Sequence, residues 1–280
     1  MVKKKLLISF SGGRTSAYML WWLLANKMDE YEIIVVFANT GKEHEETFKF
    51  IQMCSEYFGV EVIWVEAVPN SKKGWAVAHK IVNFETASRN GEPFEAFIQK
   101  IGIPSSNNPW CSSILKKAAI IHYLKSIGWK KFYTAIGIRY DEVDRVNPNY
   151  KKERIIYPLI TDVPTTLKMI DLWWEKMPFK LNVPIGLGNC DNCWKMSMKS
   201  LIYNANTYPE SFEWWDEMVT KYGYTIHRKG QLNMKPPFNF FRGNLSVKDI
   251  FKLTKISKMQ LSLFTENEKL DGCSESCEPF

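Results

Sequence analysis

The fold of this chain is decided by the stretch Leu6-Leu-Ile-Ser-Phe-Ser-Gly-Gly-Arg-Thr-Ser16 near its start. The short apolar run indicates a buried strand, and the two glycines indicate a tight turn before an apolar helix that extends to about Ala25. Thr15 or Ser16 is the expected N-cap of this helix. Because the N–H groups and the dipole of a helix N-terminus attract anions, the sequence predicts a phosphate-binding loop here.

The predicted loop differs from that of the P-loop NTPases, because no Lys follows its glycines at the required spacing. The glycines let the backbone approach a ligand closely, the serine hydroxyls add hydrogen-bond donors, and the arginine adds a positive charge. The candidate anion-binding residues are Ser11, Gly12, Gly13, Arg14, Thr15 and Ser16. A plain strand–turn–helix corner is the alternative interpretation.

Strand and helix patterns alternate through the first half of the chain. The further strands are predicted at residues 31–38, 60–65 and 131–138, and the helices at 45–58 and 113–127. This alternation predicts an α/β fold with a parallel sheet covered by helices on both faces. Ligands of such sheets bind beyond the carboxyl ends of the strands, so the loops at 39–44 and 139–145 are further site candidates.

Beyond about residue 150 the pattern becomes mostly helical. One last strand is expected at 155–160, and helices are expected at 164–177, 193–205, 209–222 and 246–256. Pro164 suits a first helical turn, and Ser246 with Asp249 resembles a capping box. We therefore expect an α/β domain over residues 1–160 and a helical extension over 161–280.

The composition of the 280 residues, 45% hydrophobic and 24% charged, excludes a disordered or collagen-like chain. The apolar run at 18–25 is too short to cross a bilayer, and the run at 6–10 is too short for a signal peptide. These observations predict a cytoplasmic protein without a membrane partner. The net charge of +7 suits an anionic ligand such as a nucleotide without demanding a nucleic acid.

Three segments, in this order, resemble one family. The first is Ser11-Gly-Gly-Arg-Thr-Ser16, the second is Phe37-Ala-Asn-Thr-Gly-Lys-Glu-His-Glu-Glu-Thr47, and the third is Ile136-Gly-Ile-Arg-Tyr-Asp-Glu-Val-Asp-Arg145. They resemble the PP-loop, the Asp-Thr-Gly…Pro-Glu-Thr segment and the Gly-x-Arg-x-Asp-Glu…Arg loop of phosphoadenylyl-sulfate (PAPS) reductases. Those enzymes belong to the PP-loop ATP-pyrophosphatase (adenine nucleotide alpha hydrolase-like) superfamily. The resemblance implies a Rossmann-like, HUP-type fold that binds ATP or PAPS.

The resemblance also implies roles for the second and third segments. The backbone near the end of the second strand would hold adenine, which concerns Phe37, Ala38, Asn39 and Thr40. In the third segment Gly137 would lie at the nucleotide, while Arg139 and Arg145 would neutralise its phosphate or sulfate. Asp141 and Glu142 would either hold a magnesium ion or orient the arginines.

The chain departs from the reductases at three places. Thr15 replaces the Asp that many PP-loops carry, and Asn39 replaces the Asp at the end of the second strand. The short Glu-Cys-Gly-x-His tail that carries the nucleophile of assimilatory PAPS reductases is absent. The middle and end of the chain instead resemble phage and bacterial relatives with a Gly-Asn-Cys-Asp-x-Cys motif, found here at 188–193.

The cysteines predict a metal site. Cys190-x-x-Cys193 brings two thiolates within reach of one metal centre, and Cys111 starts a helix, whose dipole lowers a thiol pKa. Cys273 or Cys277 in the tail is the candidate fourth ligand. The spacing suits a 4Fe–4S cluster or a structural zinc, and the iron–sulfur branches of the superfamily favour the cluster. Unligated thiols and a redox-active tail pair are the alternatives, while Cys54 is expected in the core.

The leading prediction is thus an enzyme that depends on an adenine nucleotide. It would either reduce a phosphosulfate (PAPS or APS) to sulfite or cleave ATP between its α- and β-phosphates for sulfur transfer. A sulfur donor or a thiol reductant protein is the expected partner, and a homo-oligomer is compatible with the sequence. A tRNA or DNA partner is left open without being indicated. The rival prediction is a non-catalytic nucleotide sensor with a structural metal site.

Overall fold

A six-stranded sheet forms the centre of the protein in the computed structural model, which describes residues 2–70, 76–188, 190–226 and 235–260, with side chains up to residue 254. The strands are β1 (Lys4–Ser9), β2 (Tyr31–Asn39), β3 (Val62–Pro69), β4 (Val77–Val82), β5 (Tyr133–Ala135) and β6 (Ile155–Ile156). Their order across the sheet is β4-β3-β2-β1-β5-β6. All neighbours pair in parallel except β4, which is antiparallel to β3.

Helices connect and cover these strands. They are α1 (Arg14–Asn26), α2 (Glu45–Phe58), α3 (Glu92–Ile101), α4 (Ala119–Ser126), α5 (Tyr150–Glu153), α6 (Pro158–Thr161), α7 (Leu167–Glu175), α8 (Met198–Thr207), α9 (Glu213–Tyr222) and α10 (Val247–Gln260). A π-helical segment, Ser112–Ala118, precedes α4, and 3-10 turns occupy Tyr140–Arg145, Pro209–Phe212 and Arg242–Asn244. Within the described ranges, every helix is too short or too polar to span a bilayer.

Alternating side chains of the strands fill two cores, one on each face of the sheet. Leu6 and Ile8 of β1 are fully buried and pack with α1, α2 and α7. Leu7, which lies between them, packs on the opposite face with α3, α4, α8, α9 and α10. A parallel strand that is covered on both faces needs a continuous apolar run, and Leu6-Leu-Ile8 supplies one. The predicted α/β fold with helices on both faces is confirmed.

The chain reverses direction across the sheet beside β1. From β1 it proceeds outward to β2 and β3, and it later returns to the other side of β1 to form β5 and β6. Ile8 therefore pairs with Val35 on one side and with Ala135 on the other. The loops that follow β1 and β5 leave adjacent strands at this switch point, where the carboxyl ends open a crevice for a ligand.

Several predicted boundaries were wrong. α1 begins at Arg14 with Gly13 as its N-cap, so neither Thr15 nor Ser16 caps it. The last strand ends at Ile156, because Pro158 lacks an N–H group and begins the short helix α6. The predicted helix over 193–205 begins only at Met198, because the Cys-x-x-Cys segment is a turn.

Among the elements that were missed are β4 and α3, whereas one predicted cap was correct. β4 has only a weak strand pattern, and α3, which carries Pro93 in its first turn, lies between the predicted segments. The capping box before α10 is confirmed: Ser246 Oγ accepts a hydrogen bond from Asp249 N at 3.2 Å. The carboxylate of Asp249 accepts in return from Ser246 N at 3.1 Å. Ser246 Oγ also donates to the Asp249 carboxylate at 2.6 Å; this hydrogen bond, followed by those from Ser246 N and Lys252, lowers the pKa of Asp249 to about 2.

Candidate functional site

The glycine loop after β1 packs tightly against α2. Gly12 has a φ of +75°, and a Cβ atom at this position would lie 2.7 Å from Thr47 Cγ2 and 2.9 Å from Ile51 Cδ1. Only glycine satisfies both the left-handed backbone and this close approach. The Ser-Gly-Gly sequence therefore fixes the path by which the chain enters α1.

Two serine hydroxyl groups form hydrogen bonds inside this loop. Ser16 Oγ donates to Gly13 O at 2.9 Å and lies 2.9 Å from Ser11 Oγ. The N–H groups of the first turn of α1 have no acceptor within a helix, so they are available to an anion in front of the loop. The Arg14 guanidinium pairs with Asp171 of α7 at 2.9 Å, and Trp174 Nε1 donates to Arg14 O at 3.0 Å. Helix α7 thus buttresses the loop.

The loop after β5 meets the glycine loop through Arg139. Its Nη1 atom lies 3.4 Å from Thr15 Oγ1 and 3.2 Å from Glu142 Oε2, while its Nε donates to Asp141 at 2.8 Å. Gly137 approaches Ser16 so closely that a Cβ atom would lie 3.3 Å from Ser16 Cα. The structure therefore brings the two predicted anion-binding loops to one crevice.

The carboxylates of this loop are engaged by the arginines. Glu142 contacts Arg139 and also forms an ion pair with Arg145. Burial raises the pKa of Asp141, but hydrogen bonds from Leu167 N and from the Arg139 guanidinium outweigh this effect, and the net pKa lies below its usual value. Asp141 thus contacts Arg139, and Glu142 contacts both arginines.

The end of β2 carries a buried polar network. Asn39 Nδ2 donates to Glu66 Oε1 at 2.7 Å and to Ser88 O at 2.9 Å, and Asn39 Oδ1 accepts from Gly41 N at 2.9 Å. Glu66 also accepts from Ser88 N at 2.6 Å. The Asn39 side chain therefore forms its hydrogen bonds within the protein. Its neighbours Phe37 and Ala38 are also buried.

Three cysteines converge on a second site. Cys111, Cys190 and Cys193 line one pocket together with Thr40 and Lys116. The first of them precedes the π-helical segment, whereas the other two belong to the Cys-x-x-Cys turn, far along the chain. The predicted association of these three thiols in space is thus present in the structure.

The turn between the two later cysteines is held by asparagines. Asn192 adopts the left-handed conformation with a φ of +48° and is fully buried. Its amide donates to Ser211 Oγ at 2.6 Å, and its Oδ1 accepts from Asn204 Nδ2 at 2.9 Å. Asparagine tolerates this backbone conformation better than most residues, so these hydrogen bonds fix the orientation of the Cys-x-x-Cys turn.

Thr40 and Glu43 connect the two sites. Cys190 Sγ lies 3.5 Å from Thr40 Oγ1 and donates to Glu43 Oε1 at 3.7 Å. The buried Glu43 carboxylate accepts from Thr40 N and Thr40 Oγ1 at 2.9 Å, and Lys116 Nζ lies 4.0 Å from it. The loop that follows the predicted adenine strand is therefore also a wall of the cysteine pocket.

The thiol donors of this pocket are of a type that both an iron–sulfur cluster and a zinc ion accept. In the part of the chain that the structure describes, no three His, Cys, Asp or Glu side chains are close enough to hold a single metal ion. Thiolates are the usual ligands of iron–sulfur clusters. The candidate ligands Cys273 and Cys277 lie outside the described residues.

Sequence reasoning missed several contributors to these sites. Glu43 gave no signal, because loop carboxylates are usually exposed. Glu66 left a trace, since an acidic residue directly follows the apolar run of the third strand. Lys116 was not among the predicted site residues; its side chain is only 13% exposed and lines the cysteine pocket. Cys54 is fully buried as predicted, and burial raises its pKa strongly.

The chain is similar in sequence to several known proteins. It is 28% identical over 284 residues to the nin region protein ORF290 of Escherichia phage lambda, covering 98% of this chain and 94% of that protein. Two proteins of Methanocaldococcus jannaschii are each 25% identical over 77% and 79% of this chain. The match spans less than half of their own lengths, 48% and 42%.

A solved structure and a family model complete the comparison. The U34-tRNA thiolase NcsA from Methanococcus maripaludis, with its [4Fe-4S] cluster, aligns over 100% of this chain and 80% of that chain. Its sequence identity is 17% and its TM-score is 0.36, so nothing about function follows from it. The model of the phosphoadenosine phosphosulfate reductase domain matches residues 5–156, which include β1, β5 and both loops of the crevice. The chain therefore belongs to the phosphoadenosine phosphosulfate reductase domain family.

Proposed function

We propose that this protein is an enzyme that binds an adenine nucleotide in the crevice between the loops after β1 and β5 and performs sulfur transfer at the adjacent cysteine pocket. One observation carries the proposal: Thr40 and Glu43 belong to the loop that ends the predicted adenine strand, and both contact Cys190. A nucleotide and a sulfur-bearing group would therefore meet across a single loop.

The protein side of nucleotide binding follows from the crevice. The N–H groups at the start of α1 would bind a phosphate or sulfate oxygen, and Arg139 would add bidentate donors from the opposite wall. Since Asp141 and Glu142 hold Arg139 in place, its guanidinium is positioned before the ligand arrives. Fixed donors that face a developing negative charge lower the barrier to bond cleavage at phosphorus or sulfur.

The first candidate reaction is reductive cleavage of a phosphosulfate. The Cys190 thiolate would attack the sulfur atom, the bond from sulfur to the phosphate oxygen would break, and the adenosine phosphate would leave with the electron pair. The Cys193 thiolate would then attack Cys190 Sγ, which releases sulfite and leaves a disulfide. A thiol reductant protein would restore both thiols by disulfide exchange. The Cys-x-x-Cys turn beside the crevice favours this candidate.

The second candidate is ATP cleavage between the α- and β-phosphates, followed by sulfur transfer to the adenylated acceptor. Its specific support is that three thiols from separated segments line the pocket, which suits a 4Fe–4S cluster. When bound, such a cluster would supply iron to hold sulfur. Cys111, Cys190 and Cys193 would ligate it, and the ammonium groups of Lys116 and Lys195 in the pocket lining would offset its negative charge.

The two reactions differ in their products. The protein is purified anaerobically, its visible spectrum and iron content are recorded, and it is incubated with PAPS and with ATP. Sulfite from PAPS supports the reductase, whereas pyrophosphate from ATP supports the adenylating enzyme, after which tRNA is tested as acceptor. Nucleotide binding without either product supports the sensor alternative, and absence of binding to both nucleotides contradicts the proposal.

Variants separate the two sites. Gly12→Val with Ser16→Ala is expected to abolish nucleotide binding while iron is retained. Cys190→Ala is expected to abolish sulfite release or iron binding while nucleotide binding is retained. Cys54→Ala is the matched control, because this thiol is buried in the core away from the pocket lining. Unchanged products and iron content in Cys190→Ala would remove the pocket from the mechanism.

A further inference from the structure

Two histidines meet on the outer edge of the sheet. His79 on the edge strand β4 and His122 on α4 place their Nδ1 atoms 2.6 Å apart, with ring centroids separated by 4.9 Å. His79 is half-buried, and His122 is exposed. The aromatic ring of Tyr123 lies edge-on to His79 at a centroid distance of 5.5 Å and restricts the orientation of that ring.

The contact has a specific chemical meaning. Two neutral imidazoles at hydrogen-bond distance share one proton: one Nδ1 carries it, and the other accepts it through its lone pair. Both Nδ1 atoms are therefore directed at the same point in space. Imidazole nitrogen is the ligand that Zn²⁺, Ni²⁺ and Cu²⁺ favour in proteins, so one of these ions can take the place of the shared proton.

We propose that His79 and His122 form a two-histidine site for a divalent transition metal ion, which is bound through the two Nδ1 atoms. In a tetrahedral site with metal–nitrogen distances of about 2.0–2.1 Å, the two nitrogens are about 3.3 Å apart. The rings must therefore separate by about 0.7 Å relative to the 2.6 Å contact. A small rotation of the exposed His122 side chain can make this adjustment.

The number of protein ligands determines how tightly the site binds a metal ion. Among the described residues, no third His, Cys, Asp or Glu converges with this pair on one ion, so water would fill the remaining positions. Such a site binds more weakly than a structural zinc site with four protein ligands. It would connect β4 to α4 across the edge of the sheet and would stabilise this edge strand, which pairs antiparallel with β3.

The site is separate from the proposed function. β4 is three positions away from β1 in the sheet, and neither histidine belongs to the crevice or to the lining of the cysteine pocket. The prediction therefore stands or fails independently of nucleotide binding and of sulfur transfer.

The test is Ni²⁺ binding by titration calorimetry at pH 7.5, with the unfolding temperature measured with and without metal. Five proteins are compared: the wild type, His79→Gln, His122→Gln, the control His44→Gln, and Cys190→Ala combined with Cys193→Ala. The wild type, the His44 control and the cysteine variant are expected to bind Ni²⁺ and to gain about 2–4 °C at saturation. Both variants of the pair are expected to lose at least about tenfold in affinity together with the thermal gain.

Two results would overturn the proposal. One is unchanged Ni²⁺ affinity in His79→Gln and His122→Gln, and the other is loss of binding in the cysteine variant alone, which would assign the ion to the thiols. If His79→Gln fails to fold, the variant His122→Gln on α4 still provides the comparison with the wild type. X-ray absorption of the wild-type complex adds an independent readout, since two imidazole nitrogens are expected in the coordination shell.

Discussion

The side-chain amide of Asn39 donates a hydrogen bond of 2.7 Å to the carboxylate of Glu66 on the neighbouring strand. Both side chains are buried; Asn39 is the last residue of β2, and Glu66 is its pairing partner within β3. This pair explains why the chain has an asparagine where the reductases have an aspartate: an aspartate would place a second carboxylate against Glu66. The two positions are therefore coupled. Asn39 also holds the loop that begins at Thr40, because its Oδ1 accepts a hydrogen bond from Gly41 N.

Asn39→Asp is expected to destabilise the protein by about 3 kcal/mol, because it leaves two buried carboxylates in contact without a donor between them. Urea unfolding at pH 7.5 measures the change. Adding Glu66→Gln is expected to restore most of the lost stability, since the glutamine amide then donates to the introduced carboxylate. If the single variant is as stable as the wild type, the two side chains are not coupled.

Gly12→Ala is expected to cost more than about 2 kcal/mol of stability and to weaken nucleotide binding. The left-handed backbone alone accounts for about 1–2 kcal/mol, and the added Cβ atom would also clash with Thr47 Cγ2 at 2.7 Å. Gly59→Ala is the matched control, since Gly59 has a φ of +64° but no atom within 4 Å of its added Cβ. Similar losses in both variants would mean that the packing on α2 contributes nothing.

Arg139→Lys is expected to raise the Kd of the nucleotide at least about tenfold, which is about 1.4 kcal/mol. A lysine ammonium cannot contact Thr15, Asp141 and Glu142 at once while presenting a planar pair of donors. Calorimetric titration with ATP and with PAPS measures the effect. Arg242→Lys, in a 3-10 turn of the helical half, is the control. Equal affinities in the two variants would exclude Arg139 from the anion site.

Stability is expected to fall at mildly acidic pH because of the histidine pair. Burial, and then the neighbouring His122, lower the pKa of His79 below 6.5 in the folded protein. At this residue the unfolded chain therefore binds more protons, so the contribution of His79 to stability is constant above about pH 6.5 and is lost as the pH falls below it. The ring of Tyr123 also contacts the His79 ring edge-on, and the carboxylate of Glu61 interacts electrostatically with Tyr123. Urea unfolding between pH 5 and 8 should show a smaller decline in His122→Gln, and an identical decline would refute this explanation.

The sequence allowed most of the first half of the fold to be predicted. β1, β2, β3 and the helices between them have strong periodicity, since each element is buried on one or both faces. β4 was missed because an edge strand with exposed Lys80 and Ile81 has no clear alternation. The end of the last strand was misplaced because a two-residue strand followed by Pro158 produces almost no pattern.

The candidate site, too, could be predicted from the sequence only in part. The Ser-Gly-Gly loop could be identified from sequence because a strand, two glycines and a helix start are local features that determine an anion-binding geometry by themselves. The contacts of Glu43 with Cys190 and of Asn39 with Glu66 could not be identified. Their partners are 147 and 27 residues apart in the chain, and strand order and helix packing bring them together.

By itself, the sequence determined the α/β architecture, the glycine loop and the three candidate cysteines, because periodicity, backbone conformation and ligand type are properties of short segments. The tertiary structure alone decided that the loop after β2, which ends the predicted adenine strand, forms a wall of the cysteine pocket. It also decided that His79 and His122 meet at the sheet edge. The physical reason is that burial and hydrogen bonding between distant side chains depend on which strands and helices are neighbours, and no local pattern encodes that neighbourhood.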